Sequence, residues 1–100
     1  MLIKGELYKF EISKERYELH KEQGYRSTLT IEDIDGEWGI FMLERCYRSF
    51  NERFMIELRL LYQVSSMEKG RRLVELMNED LQKKFNRELK TEVTEYYEKR

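Results

Sequence analysis

Apolar residues recur at every second position along much of the first two-thirds of the chain, and the spacing changes to threes and fours near Ser65. Period two marks a strand with one buried face, and a period near 3.6 marks an amphipathic helix. Tyr8-Lys9-Phe10-Glu11-Ile12 alternates cleanly and predicts a strand. Ile3 and Leu7 lie on the opposite parity, which suggests a bulge near Leu7 or a strand apolar on both sides. Ser13 to Gln23 carries a weaker alternation through Tyr17 and Leu19 and reads as a short strand with turns. The segment from Tyr25 to Ile34 is rich in Thr, Ile and Leu and runs into Asp35-Gly36, the pair suited to a two-residue turn with positive φ at both central residues. That turn sets Ile34 opposite Glu37, Asp33 opposite Trp38, Ile31 opposite Ile40 and Leu29 opposite Met42, which makes one face of the hairpin apolar.

The return strand, Trp38 to Leu43, is apolar on both parities and is expected at the centre of a sheet with both faces covered. A turn is expected over Tyr47 to Glu52. Phe54, Ile56, Leu58, Leu60, Tyr62 and Val64 then alternate with Glu57, Arg59 and Gln63 and predict the longest strand. A competing helical stripe runs through Leu43, Tyr47, Phe50, Phe54, Leu58 and Leu61. The strict alternation of Ile-Glu-Leu-Arg-Leu favours strands over 40–64.

Ser65-Ser66-Met67-Glu68 fits a capping box with Ser65 as N-cap, and beyond it only Gly70 opposes a helix up to Lys99. Glu79/Lys83, Asp80/Lys84 and Glu95/Lys99 are acid-first i,i+4 pairs. The expected architecture is therefore α+β in one domain, residues 1–100. An antiparallel sheet of four to five strands (1–64) carries one long C-terminal helix (65–99) on one face.

That helix has a peculiarity. Met77, Leu81, Phe85, Leu89, Val93 and Tyr97 are spaced strictly by four, so the stripe drifts about 40° per step and turns roughly halfway around the axis. A continuous helix from Ser66 to Lys99 is roughly 50 Å long, against about 35 Å for a compact domain of this size. Leu89, Val93, Tyr96 and Tyr97 would then overhang the sheet and form a partner-binding surface, with a second copy of the chain as the expected occupant. The alternative is a bend or break near Asn86 that folds the tail back on its own sheet.

Composition narrows the functional classes. Charged residues make up 39% of the chain and nearly cancel to a net charge of -1, which describes an ion-paired surface and no overall affinity for nucleic acid or acidic membrane. The single cysteine, Cys46, excludes an intrachain disulfide and suits a reducing, cytoplasmic setting. Neither a signal peptide nor a run long enough to span a membrane is evident. Such charge density occurs in thermophile proteins and equally in small proteins of AT-rich genomes.

Candidate chemistry is sparse. His20 lies in a charged stretch expected at the surface, and Cys46 is flanked by Arg45 and Arg48, which could lower a thiol pKa, although a buried structural cysteine is the commoner case. Asp33, Asp35 and Gly36 fail the EF-hand pattern because Ile31 and Met42 fall at the end ligand positions. Phosphate-binding glycine loops and nucleophile-elbow serines are missing. No catalytic residue, metal ligand or cofactor is assigned, and the sequence points away from an enzyme. The leading expectation is a small non-catalytic interaction protein (inhibitor, adaptor or accessory factor) that acts by binding another macromolecule, expected to be a protein, and that forms a homodimer through the end of its C-terminal helix. The alternative is a single-stranded nucleic-acid binder, using sheet aromatics for stacking and a basic stripe of Lys69, Arg71, Arg72, Lys83, Arg87 and Lys90 for the backbone.

Overall fold

The computed structural model describes residues 1–23, 28–84 and 94–98, with side-chain surroundings for 1–22 and 28–77. In chain order the elements are β1 (Leu7–Glu11), α1 (Lys14–Gln23), β2 (Thr28–Ile34), β3 (Glu37–Arg48), β4 (Phe54–Val64), α2 (Met67–Lys84) and β5 (Thr94–Glu98). Strand order is β1-β4-β3-β2-β5. The first four strands form an antiparallel sheet, and β5 joins the outer edge of β2 in parallel, with Tyr96 and Tyr97 opposite Thr30 and Ile31.

The β2–β3 hairpin has the expected register, from Ile34 opposite Glu37 to Leu29 opposite Met42. Asp35 and Gly36 take φ of 52° and 84°, the left-handed pair that matches the twist of the strands. Asp33 steadies the turn, its Oδ1 accepting the Gly36 amide at 2.8 Å. β3 continues beyond the expected strand end at Leu43 to Arg48, two residues into the expected turn, interrupted by irregularities at Ile40/Phe41 and Leu43/Arg45. These shifts let one strand place Ile40 against one face and Phe41, Leu43 and Cys46 against the other, so β3 is the doubly covered strand that its composition demands.

Among the described residues each face carries one helix. On one side Phe41, Leu43, Cys46, Ile56, Leu58 and Leu60 form a core with Leu2 and Ile12, and Tyr17 of α1 packs on Phe54 with ring centroids 4.9 Å apart and planes tilted by 46°. On the other side Leu29, Ile31 and Ile40 receive Val74 of α2, flanked by Met67, Leu73 and Met77. The docking stripe of α2 is thus 67, 70, 74 and 77, a 3-4-3 spacing. Gly70 is the point of closest approach. A Cβ there would stand 3.2 Å from Ile31 Cγ2 and 3.3 Å from Val64 Cγ2, which explains a glycine inside a helix.

Three expectations are corrected. Ser13 to Gln23 is mostly the helix α1, started by Ser13, whose Oγ accepts the Arg16 amide at 3.1 Å and whose carbonyl accepts that of Tyr17 at 3.0 Å. The N-cap of α2 is Ser66 and not Ser65, because Ser66 Oγ accepts the Lys69 amide at 3.2 Å. Finally, there is no long C-terminal helix to residue 99: α2 ends at Lys84, a length of about 27 Å that fits on the sheet, and Thr94–Glu98 is a strand.

Candidate functional site

Three local arrangements stand out from this frame. The first is polar and buried. Arg16 and His20, one helical turn apart on α1, face Glu32 on β2, and all three are fully buried or nearly so. The Arg16 guanidinium forks onto the Glu32 carboxylate, with Nη1 at 3.1 Å from Oε1 and Nη2 on Oε2. Its Nε–H is donated to His20 Nε2 at 3.1 Å, which places the imidazole proton on Nδ1. The Phe10 ring lies 6.0 Å from the guanidinium carbon. His20 is thus interior, against the expectation of a surface residue. Cys46 is buried on the same side of the sheet, and its thiol is pushed up to about 11, by burial first and against the pull of Arg16 and Lys21. A thiol held that high is protonated at neutral pH and is a poor nucleophile. The flanking Arg45 that might have activated it is engaged elsewhere, forked on Glu57.

The second arrangement is a charged lattice on the part of the sheet face beyond the α2 stripe. Glu57 accepts Arg45 Nε and Nη2, each at 3.0 Å, and pairs with Lys9 Nζ at 3.1 Å. Arg59 ties the bulged Glu44, at 2.7 Å, to the carbonyl of Gly5, at 2.6 Å. The Glu57 carboxyl is held below the usual carboxylate range by the Arg45 hydrogen bond above all, with Lys9 adding to it and burial opposing. A depressed folded-state pKa contributes stability above the ordinary carboxylate value, near 4.3, and loses it as pH falls through the folded value. The stability gap between the natural protein and Glu57→Gln should therefore be wider at pH 7 than at pH 3. Urea midpoints at the two pH values check this, and a gap of constant size would count against it.

The third is a groove of about 410 Å³ between β1 and the β2–β3 turn, lined by Tyr8, Lys9, Phe10, Asp33, Ile34, Asp35 and Gly36. β1 is an edge strand whose described pairing is with β4 alone. At the opposite end of the sheet the β3–β4 turn holds Phe50 fully exposed. That turn is stiff: the Ser49 amide donates to the Arg53 carbonyl and the Glu52 amide to the Ser49 carbonyl, each at 2.8 Å, and Ser49 Oγ accepts the Arg53 amide at 3.1 Å.

Of the residues singled out in the sequence for binding, the described ones are divided between α2 and β5. Lys69, Arg71 and Arg72 are exposed on the first turns of α2. Lys83 lies in its last turn. Arg87, Lys90, Leu89 and Val93 fall outside the described residues. Tyr96 and Tyr97 sit in β5, not at the end of an overhanging helix. The sheet aromatics offered for stacking are largely in the two cores, with Phe41 fully buried and Tyr8, Phe10, Phe54 and Trp38 packed against buried neighbours. Among the described residues no group of three or more His, Cys, Asp or Glu side chains is placed to hold a metal ion, and no helix is long and apolar enough to cross a membrane. Comparison with known protein families, curated proteins and solved structures gives no match.

No pattern along the chain announces the Arg16–Glu32 pair, since apparent strand alternation hides a helix whose inward residues are polar. The edge position of β1 could have been anticipated only from the strand order.

Proposed function

We propose that this chain is a non-catalytic interaction protein that acts by binding another macromolecule, with a protein as partner. The observation that carries the reading is Phe50, wholly exposed on a turn that its own hydrogen bonds hold rigid. Burying such a ring is worth about 2–3 kcal/mol, and the fold makes no use of it. A rigid aromatic on a protruding turn gives up little entropy when a partner covers it, which is the profile of an interface anchor. Self-association through Leu89, Val93, Tyr96 and Tyr97 no longer has an overhanging helix to argue for it, so a second copy stands as one candidate partner among others.

A photo-crosslinking phenylalanine analogue at position 50 tests the reading in extract of the source cells. One saturable adduct is expected, competed by added natural protein and not by Phe50→Ser. Absence of any competed adduct would remove Phe50 as an anchor. The single-stranded nucleic-acid reading keeps the exposed Lys69, Arg71 and Arg72 in its favour but lacks an open aromatic platform among the described residues. Titration with single-stranded DNA at two salt concentrations separates the two readings, since phosphate-driven binding must weaken as salt rises.

A further inference from the structure

We propose that the outer edge of β1 and its groove receive an extended segment of a partner polypeptide by strand addition, with apolar side chains on Tyr8, Phe10 and Ile34 and basic ones toward Asp33 and Asp35. This rests on the interaction-protein reading and names a surface and a partner chemistry for it.

The backbone phase is fixed by two hydrogen bonds. Leu60 donates its amide to the Glu6 carbonyl at 3.1 Å, and Ile12 donates its amide to the Phe54 carbonyl at 2.8 Å. Tyr8, Phe10 and Ile12 therefore turn their amide groups toward β4, and Glu6 turns its carbonyl there while its own amide donates to the Ile3 carbonyl at 3.1 Å. The amides of Leu7, Lys9 and Glu11 face outward, where no strand pairs with them among the described residues. Proteins usually defend such an edge with proline, a bulge or an outward lysine. The chain has no proline, and β1 runs in unbroken register with β4. Its one lysine, Lys9, is bound to Glu57 on the far face. Lys9 thus meets the groove with its main chain, and the edge is left ready to pair.

Charge selects the partner. Asp33 and Asp35 wall the groove, and among the described residues neither is ion-paired. Among the described lining residues the only basic one, Lys9, has its ammonium elsewhere. A second copy fits less well. Antiparallel pairing of β1 with itself at full overlap sets Lys9 opposite Lys9, a like-charge pair that opposes the ladder, and it brings no cation to the two aspartates.

The probe is a fluorescein-labelled seven-residue peptide alternating Lys and Val, read by anisotropy against the full chain. It should bind at least tenfold more tightly than its Glu-for-Lys counterpart. Only alternate amides of an added strand reach β1, so of the two alternately N-methylated forms one should lose binding about tenfold or more and the other keep it. On the protein side, Lys9→Pro should abolish binding and Lys9→Ala, which keeps the amide, should retain it. Asp35→Asn should weaken it several-fold. Equal binding of the two N-methylated forms, equal binding of the Lys and Glu peptides, or no binding at all overturns the proposal. So does a dimer by light scattering that Lys9→Pro dissociates, since the occupant is then a second copy. If the peptide fails while the Phe50 adduct persists, the groove assignment alone falls. Loss of both takes the interaction-protein reading with it.

Discussion

Glu32→Ala should lower the stability of the fold by about 3–5 kcal/mol, the cost of leaving a buried charge without its partner. Domains of this kind have roughly 5–15 kcal/mol in total, so the variant should sit near the edge of unfolding at room temperature. The argument starts from solvation. Arg16 and Glu32 side chains are both at 0% exposure, so each has given up its water shell completely. What offsets that cost is the fork of guanidinium on carboxylate, with the His20 ring taking the remaining Nε–H. Removing the carboxylate keeps the desolvation and discards the compensation. Arg16→Lys should recover little function of this contact, because an ammonium cannot fork. The double variant Arg16→Met/Glu32→Leu should restore most of the lost stability, since an apolar pair of similar volume needs neither water nor partner. Urea unfolding of the four proteins checks the set. A Glu32→Ala cost below about 1 kcal/mol, the level of an exposed ion pair, would show that the contact is not dry.

Phe41→Ala should cost about 3–5 kcal/mol through cavity formation, lowering the melting temperature by on the order of 20 °C in a domain of this length. Phe41 is fully buried on β3, edge-on to Tyr8 at 5.8 Å between ring centroids. It also closes over Gly39, two residues before it on the same face. A Cβ built on Gly39 would lie 2.9 Å from Phe41 Cε1 and 2.6 Å from Leu60 Cδ1. Gly39 is therefore empty because Phe41 and Leu60 fill the space above it. Two consequences can be separated by calorimetry. Gly39→Ala alone should destabilise by about 1–3 kcal/mol through overpacking. In the Phe41→Ala background the same substitution should cost much less, or gain, because its methyl enters the space the ring has left. Strict additivity of the two changes would mean that the ring and the glycine are not coupled.

The parts of this fold that were legible share one property: local pattern and burial agree there. Asp35-Gly36 fixed a turn, the turn fixed the register, and the alternation of Leu29, Ile31, Ile40 and Met42 agreed with it. β4 was readable because one face of Ile56, Leu58 and Leu60 is buried and the other carries charge. α1 was not, because its inward positions are Arg16 and His20. Apolar periodicity cannot find a helix whose buried stripe is polar, and the leftover Tyr17 and Leu19 imitate a strand. The end of α2 was misplaced for another reason. Glu, Lys and Leu spaced by fours favour a helix wherever they occur, while Thr94-Glu95-Tyr96-Tyr97-Glu98 becomes a strand through pairing with β2, a contact no local pattern announces. The third arrangement, the edge groove, brings residues 8–10 to residues 33–36. It depends on strand order, with β1 reaching past β2 and β3 to pair with β4, and strand order is the property of a sheet that a single sequence states least.

The contact between α1 and β2 also bears on how freely this sequence can vary. Apolar cores are permissive, because many combinations of side chains with the same total volume satisfy them. A planar fork on a carboxylate has essentially one solution: Arg on the helix, an acid of the right length on the strand, and a ring nitrogen to take the Nε–H. The polar contact that helps hold α1 in place is thus less interchangeable than the apolar packing around it. Single changes at positions 16 and 32 are barred even where a joint replacement would be harmless, which leaves the pair stranded on a narrow ridge in the space of sequences that fold.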